Sequence, residues 1–156
     1  MNKVYISHTP NGDTRSMEKL DKTLVYQDTL GHIKGVKDVM NELANKLRYN
    51  AQRHDFTKLS HFDGFYEALA SRKVAPEFYE LEWWKLHETA ERHHLNQKVP
   101  DDVNLLDVIE MLVDCVCAGK ARTGNVYPIN ISSETLQKAV ANTVEMLKNN
   151  IIVIKD

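Results

Sequence analysis

Apolar residues along this chain recur mostly at steps of three and four, the period of an α-helix with one apolar face. The stripe Leu30, Ile33, Val36, Met40, Leu43 and Leu47 predicts a long first helix, with Asp28 or Thr29 as its N-cap. His32 lies four residues before Val36 and sits beside that stripe. Ser60 is placed to cap a second helix carrying Phe62, Phe65 and Leu69, which leaves His54 and Asp55 at a helix–helix junction. Pro76 suits the first turn of a third helix running to about His94, with Phe78, Leu81, Trp84 and Leu86 on its buried side. A break from Asn96 to Pro100 follows. Asp101 or Asp102 then caps a fourth helix from about Val103 to Ala121, with Leu105, Leu106, Ile109, Leu112, Val113 and Val116 as its core stripe. Gly119 and Gly124 bracket its end. Ser132 or Ser133 caps a last helix that turns Leu136, Val140, Val144 and Leu147 inward. The chain ends read differently. Lys3–Ser7 and Ile151–Ile154 are short and rich in β-branched or aromatic residues, and could pair as a two-stranded ribbon.

Composition agrees with this picture. Six glycines and four prolines in 156 residues leave few turns for many short strands. The expected fold is all-α: a single domain spanning residues 1–156, an orthogonal helical bundle with a core from about residue 25 to 149 and a short ribbon from the ends. A net charge of −2 gives no electrostatic reason to expect nucleic acid or an anionic membrane as partner. No apolar run exceeds the four residues Ile151–Ile154, far too few to span a bilayer. Met1–Asp13 lacks the apolar stretch of a secretory signal, and two cysteines, Cys115 and Cys117, cannot build a disulfide framework. The expectation is a soluble, cytoplasmic protein with a small-molecule partner.

Histidine changes the picture. There are seven, six of them between His32 and His94. A divalent transition metal needs neutral imidazoles and carboxylates converging to within about 2.0–2.2 Å of one point, and bundle interiors achieve this from separate helices. Candidate ligands are His32, the doublet His54-Asp55, and an acidic residue of the fourth helix. Asp107, Glu110 and Asp114 there share one face. Asp107 and Glu110 read more readily as a solvated acidic stripe. Asp114 differs, because it stands in the apolar segment Met111–Ala118, where a buried carboxylate needs a cation or several donors. On the third helix His87 and His94 are two turns apart with Glu91 between them, which also fits a surface histidine patch or a histidine cluster stacked on Trp83 and Trp84. Lys58, three residues after Asp55, could hold a substrate phosphate or be a solvated side chain. Cys115 and Cys117 project in different directions and are not a chelating pair.

The order His32, His54-Asp55, Asp114 resembles the HD-domain superfamily of metal-dependent phosphohydrolases. The segments His54-Asp55-Phe56-Thr57-Lys58-Leu59-Ser60, Glu91-Arg92-His93-His94 and Glu110-Met111-Leu112-Val113-Asp114 are similar to a small HD-like group found in bacteria and phages. The resemblance implies His32, His54, Asp55 and Asp114 as ligands of a first metal. His87 and one or both of His93 and His94 would serve a second metal or the substrate phosphate. Lys58 would contact that phosphate, and Asp55 could bridge two ions. The chain departs from nucleotidase branches in having Lys58 where they carry a glutamate, and from the cyclic-dinucleotide branch in having Leu95, Asn96 and Gln97 after His94.

The implied activity is hydrolysis of a small nucleotide or related phosphoester by metal-activated water, with Asp55 and Lys58 as the catalytic side chains. Histidine-rich ligation points to one or two ions of Mn, Fe, Co, Ni or Zn rather than to magnesium alone. Two other readings use the same residues: an HD-like di-iron oxygenase, and a non-catalytic nucleotide-binding module with a structural metal.

Overall fold

The computed structural model of the chain describes residues 1–13, 21–96 and 98–155. Its described elements are mostly helical, with a small ribbon built from the two ends. Two compact units separate: residues 1–49 with 144–156, and residues 50–143.

In the first unit, β1 (Val4–Ser7) pairs with β2 (Ile151–Ile154) in parallel, Val4 opposite Ile151 and Ser7 opposite Ile154. The ribbon expected from the β-branched ends is therefore present. α1 (Lys22–Arg53) is one uninterrupted helix of 32 residues. It begins earlier than the apolar stripe predicts, because the Asp21 carboxylate accepts the N–H groups of Thr23 and Leu24 at 2.8 and 3.0 Å. Asp28, expected as the cap, instead accepts the backbone and side-chain N–H groups of Asn11.

The second unit holds α2 (Phe56–Ser60), α3 (Phe62–Ala70), α4 (Glu82–Ala90), α5 (Leu105–Thr123) and the first part of α6 (Ser133–Asn150). Leu95, Val103, Val108, Met111 and Ala139 form its core, edged by Leu105, Leu112, Cys115 and Ile131. The predicted third helix is two pieces: a 3₁₀ turn at Glu77–Glu80, then α4, with Trp83 rather than Leu86 turned inward. The cap of α5 is Asn104 and not Asp101 or Asp102. Its side chain accepts from Leu106 N–H while Asp107 accepts from Asn104 N–H, and this reciprocal bonding fixes the start. Gly124 closes the helix with φ of 78°, a left-handed turn that suits glycine. Gly119 lies inside the helix; a Cβ there would stand 2.4 Å from the Asn125 carbonyl oxygen, so the chain can fold back only over a glycine.

The inward stripe of α6 also differs. Leu136, Val140 and Val144 are 42%, 46% and 48% exposed, whereas Thr135, Ala139 and Thr143 are buried. Small residues allow close approach here: the Thr143 hydroxyl accepts the Leu105 N–H at 2.9 Å. On α5, likewise, Leu106, Val108 and Met111 are buried, while Ile109, Val113 and Val116 are exposed. No described helix is long and apolar enough to cross a membrane.

Candidate metal centre

The site grows from two interruptions of helix. α1 ends at Arg53, and Asp55 takes a left-handed backbone, φ 57° and ψ 24°, before α2 begins. Aspartate is among the few side-chain-bearing residues that adopt this conformation readily. The turn places His54 and Asp55 at the junction. α4 ends at Ala90 because Glu91 is extended, φ −101° and ψ 104°. His93 and His94 thereby leave the helical register in which only one of them could face inward with His87.

Asp55 is the centre of the arrangement. His54 Nε2 lies 3.6 Å from its Oδ2, while His87 Nε2 and His93 Nε2 lie 3.5 and 3.7 Å from its Oδ1. His94 Nε2 is 2.8 Å from His87 Nε2. Two groups of ligand atoms result, His54–Asp55–His93 and Asp55–His87–His94, and they share one carboxylate. Asp114 Oδ1 stands 3.5 Å from His54 Nε2, and the Lys58 ammonium donates to Asp55 Oδ2.

A cation fits these residues. Asp55 Oδ1 and His93 Nε2 are buried without a hydrogen-bond partner, and His93 is only 2% exposed. Buried polar atoms left unpaired cost about 1–3 kcal/mol each, a cost that a shared ion removes. The mixture of imidazole and carboxylate donors suits a transition metal.

A further layer holds the ligands. Glu110 Oε1 lies 3.0 Å from His54 Nδ1 and 3.3 Å from His93 Nδ1, so both rings turn Nε2 towards Asp55. Trp83 stacks on His87 with ring centroids 4.7 Å apart at 17°, and Trp84 meets His94 edge-on at 5.1 Å. The histidine–tryptophan stack and the ligand cluster, alternatives in the sequence, coexist. Glu110 is 15% exposed and Asp107 is buried, so neither belongs to a solvated stripe. A cleft of about 940 Å³ between α3 and α4 includes Trp83 but none of the clustered ligands.

His32 belongs to neither group. It is exposed and lines a mainly apolar cavity of about 350 Å³ with Ile6, Val36, Val39, Met40 and Leu147 in the first unit. The seven other candidates, His54, Asp55, Lys58, His87, His93, His94 and Asp114, are brought together.

Residues 21–152 match the model of DUF5662, a family of unknown function. The chain belongs to this family. No curated protein and no solved structure matches it.

Spacing alone points to no role for Thr57 at this DUF5662 site, and it leaves Glu91 and Glu110 as residues on a shared face with no task assigned. All three are polar residues within one turn or helix step of a candidate ligand, and that is the one signal the sequence offers for them.

The charges predict how the metal-free protein responds to pH. Burial pushes His87 down to about 4 and His94 down to about 3. Both are neutral when folded and gain a proton when unfolded near pH 6.5, so their stabilisation is lost as pH falls from about 6.5 towards 4. His54 runs the other way: Asp114, then Glu110, raise it to about 10. Its contribution is complete below about pH 6.5 and is lost as pH rises towards 10. Burial raises Glu110, but His54 and His93 outweigh it and bring it to about 2; His54 likewise lowers Asp114 to about 2. Those two add losses only below their ordinary carboxylate range. The thermal midpoint of metal-free protein should therefore peak near pH 6.5 and fall on both sides. A midpoint that climbs steadily from pH 6 to 9 contradicts this charge arrangement.

Proposed function

We propose that this DUF5662 protein is a metal-dependent phosphohydrolase acting on a small nucleotide or related phosphoester. The observation that carries the reading is the sharing of Asp55 between two groups of ligand atoms. A shared carboxylate suits a pair of ions a few ångströms apart, an arrangement repeatedly used to clamp a phosphoryl group. The resemblance of the His54-Asp55 and Asp114 segments to the HD superfamily supports the same class. His32 is in neither group, which leaves that element of the resemblance unused, and His93 and Glu110 lie beside His54.

Each residue has a task in this reading. Asp55, His54 and His93 would hold one divalent ion, with Asp114 beside His54; Asp55, His87 and His94 would hold the other. A bound ion supplies Lewis acidity for a phosphate oxygen and a water of lowered pKa. Glu110 keeps the His54 and His93 rings oriented. Lys58, beside Asp55 and about one-fifth exposed, offers its ammonium to the phosphate charge. Trp83 and Trp84 exclude water behind His87 and His94.

The test is phosphate release from a panel of nucleoside mono-, di- and triphosphates and simple phosphoesters. Protein loaded with Mn, Co, Ni, Fe or Zn should act on at least one, and Asp55→Asn should not. If loaded wild type and Asp55→Asn are equally inert on every member, the hydrolase reading fails. Iron retention with oxygen-dependent turnover and no phosphate release would favour the oxygenase instead.

A further inference from the structure

One buried chain of hydrogen bonds has a consequence for the direction of a proton. The Glu91 carboxylate oxygen Oε1 accepts from the Thr57 backbone N–H at 3.0 Å and from the Thr57 hydroxyl at 2.8 Å. The same hydroxyl oxygen lies 2.6 Å from His87 Nδ1. Thr57, His87 and Glu91 are 1%, 0% and 5% exposed, so water does not compete for these bonds. A hydroxyl carries one proton. Here it is committed to Glu91, and the bond to His87 can form only if Nδ1 carries the hydrogen.

We infer that Thr57 and Glu91 are positioning residues that lock His87 in its Nδ1–H tautomer, keeping the Nε2 lone pair aimed at Asp55 and His94 for a divalent cation. Neutral imidazole offers a metal only its unprotonated nitrogen, and the hydrogen bond made by the other nitrogen decides which one that is. His87 Nε2 is the atom 3.5 Å from Asp55 Oδ1 and 2.8 Å from His94 Nε2. In the metal-free chain, His94 Nε2–H must then donate to His87 Nε2, and a cation takes the place of that proton. The relay reaches the site from two elements at once, with Thr57 on α2 and Glu91 just after α4. A preset tautomer spares the metal the task of selecting it.

The inference rests on the metal reading of the site for one of its two readouts, and the other is independent of it. The first readout is long-range proton–nitrogen NMR of metal-free protein labelled in its histidine rings. His87 should show Nδ1 protonated and Nε2 bare. Thr57→Val, which keeps the shape but removes the hydroxyl, should release this preference, and Thr57→Ser should keep it. The second readout is Co(II) titration by calorimetry. Thr57→Val should bind more weakly by roughly 10–100-fold, while Thr57→Ser stays close to wild type. A wild-type His87 found with Nε2 protonated overturns the inference whatever the variants do. So does a folded Thr57→Val that keeps both the tautomer and the Co(II) affinity. If Thr57→Val does not fold, Glu91→Gln serves in its place, since its amide can donate to the hydroxyl and free the other tautomer. Wild type that shows the expected tautomer but binds no Co(II) upholds the relay and defeats the metal reading.

Discussion

Replacing Asp55 with asparagine is expected to abolish metal binding at both positions together. The two groups of ligand atoms share no other side chain, so this substitution removes a ligand from both. Asparagine is the cleaner choice because of the backbone. Asp55 holds φ at 57°, a conformation that asparagine tolerates as well as aspartate does. Asp55→Ala would add about 1 kcal/mol of left-handed strain to the loss of the ligand and confuse the two effects. Asp55→Asn keeps size and backbone, removes the charge and leaves one weaker acceptor. The affinity for Mn or Co should fall by at least about 100-fold, the upper end of what an orienting partner of a ligand costs. Elemental analysis after dialysis should return close to zero ions per chain, beside one or two for wild type. The far-ultraviolet circular dichroism of the two should coincide. If Asp55→Asn retains one ion per chain at wild-type affinity, the shared-carboxylate geometry is wrong, and the phosphohydrolase reading loses its main support.

The sequence made some of this site legible and concealed the rest for physical reasons. His54-Asp55 and Asp114 stood out because a charge in the segment Met111–Ala118 needs a partner and because a doublet at a helix junction is free to point inward. The shared helical period of His87 and His94 was visible too. His93 was not assignable by period, because its direction depends on where α4 stops, and an extended Glu91 decides that. Thr57 stayed hidden, and Glu91, visible between His87 and His94, showed no partner, since a hydrogen bond between residues 34 apart follows no spacing rule. His32 shows the opposite failure. The predicted stripe from Leu30 to Leu47 already described an unbroken helix, and nothing in Asn45–Arg53 breaks it. His32, on that helix, joins neither group of ligand atoms, although the family pattern implies it. α6 teaches a related lesson. The large apolar residues were read as the inner face, but the face that approaches α5 carries Ala139 and Thr143, because contact with Val103 and Leu105 requires small side chains.

The largest stability effect is expected at Arg92, one residue before His93. Its Nε and a terminal NH₂ donate to the two oxygens of Asp107, both at 2.8 Å, in a two-pronged pairing that lysine cannot reproduce. The pairing with Asp107 holds Arg92 well above its ordinary value. Asp107 is 1% exposed, and among the described residues its one other donor is the Asn104 N–H that starts α5. Removing Arg92 therefore leaves a buried carboxylate almost unpaired, which costs about 3 kcal/mol when one partner of such a pair is lost. The clamp also ties the segment carrying His93 and His94 to the first turn of α5, one turn before Glu110. Arg92→Ala should lower the unfolding free energy from chemical denaturation by that amount and weaken Co(II) binding as the His93 ring loosens. Arg92→Lys should recover only part of either loss. The decisive comparison is the double variant Arg92→Met with Asp107→Leu, which removes the buried charge along with its partner. It should be more stable than Arg92→Met alone, because an apolar pair carries no uncompensated desolvation. If the double variant is as unstable as the sum of the two single ones, Arg92 and Asp107 act independently, and the clamp does not explain how His93 is held.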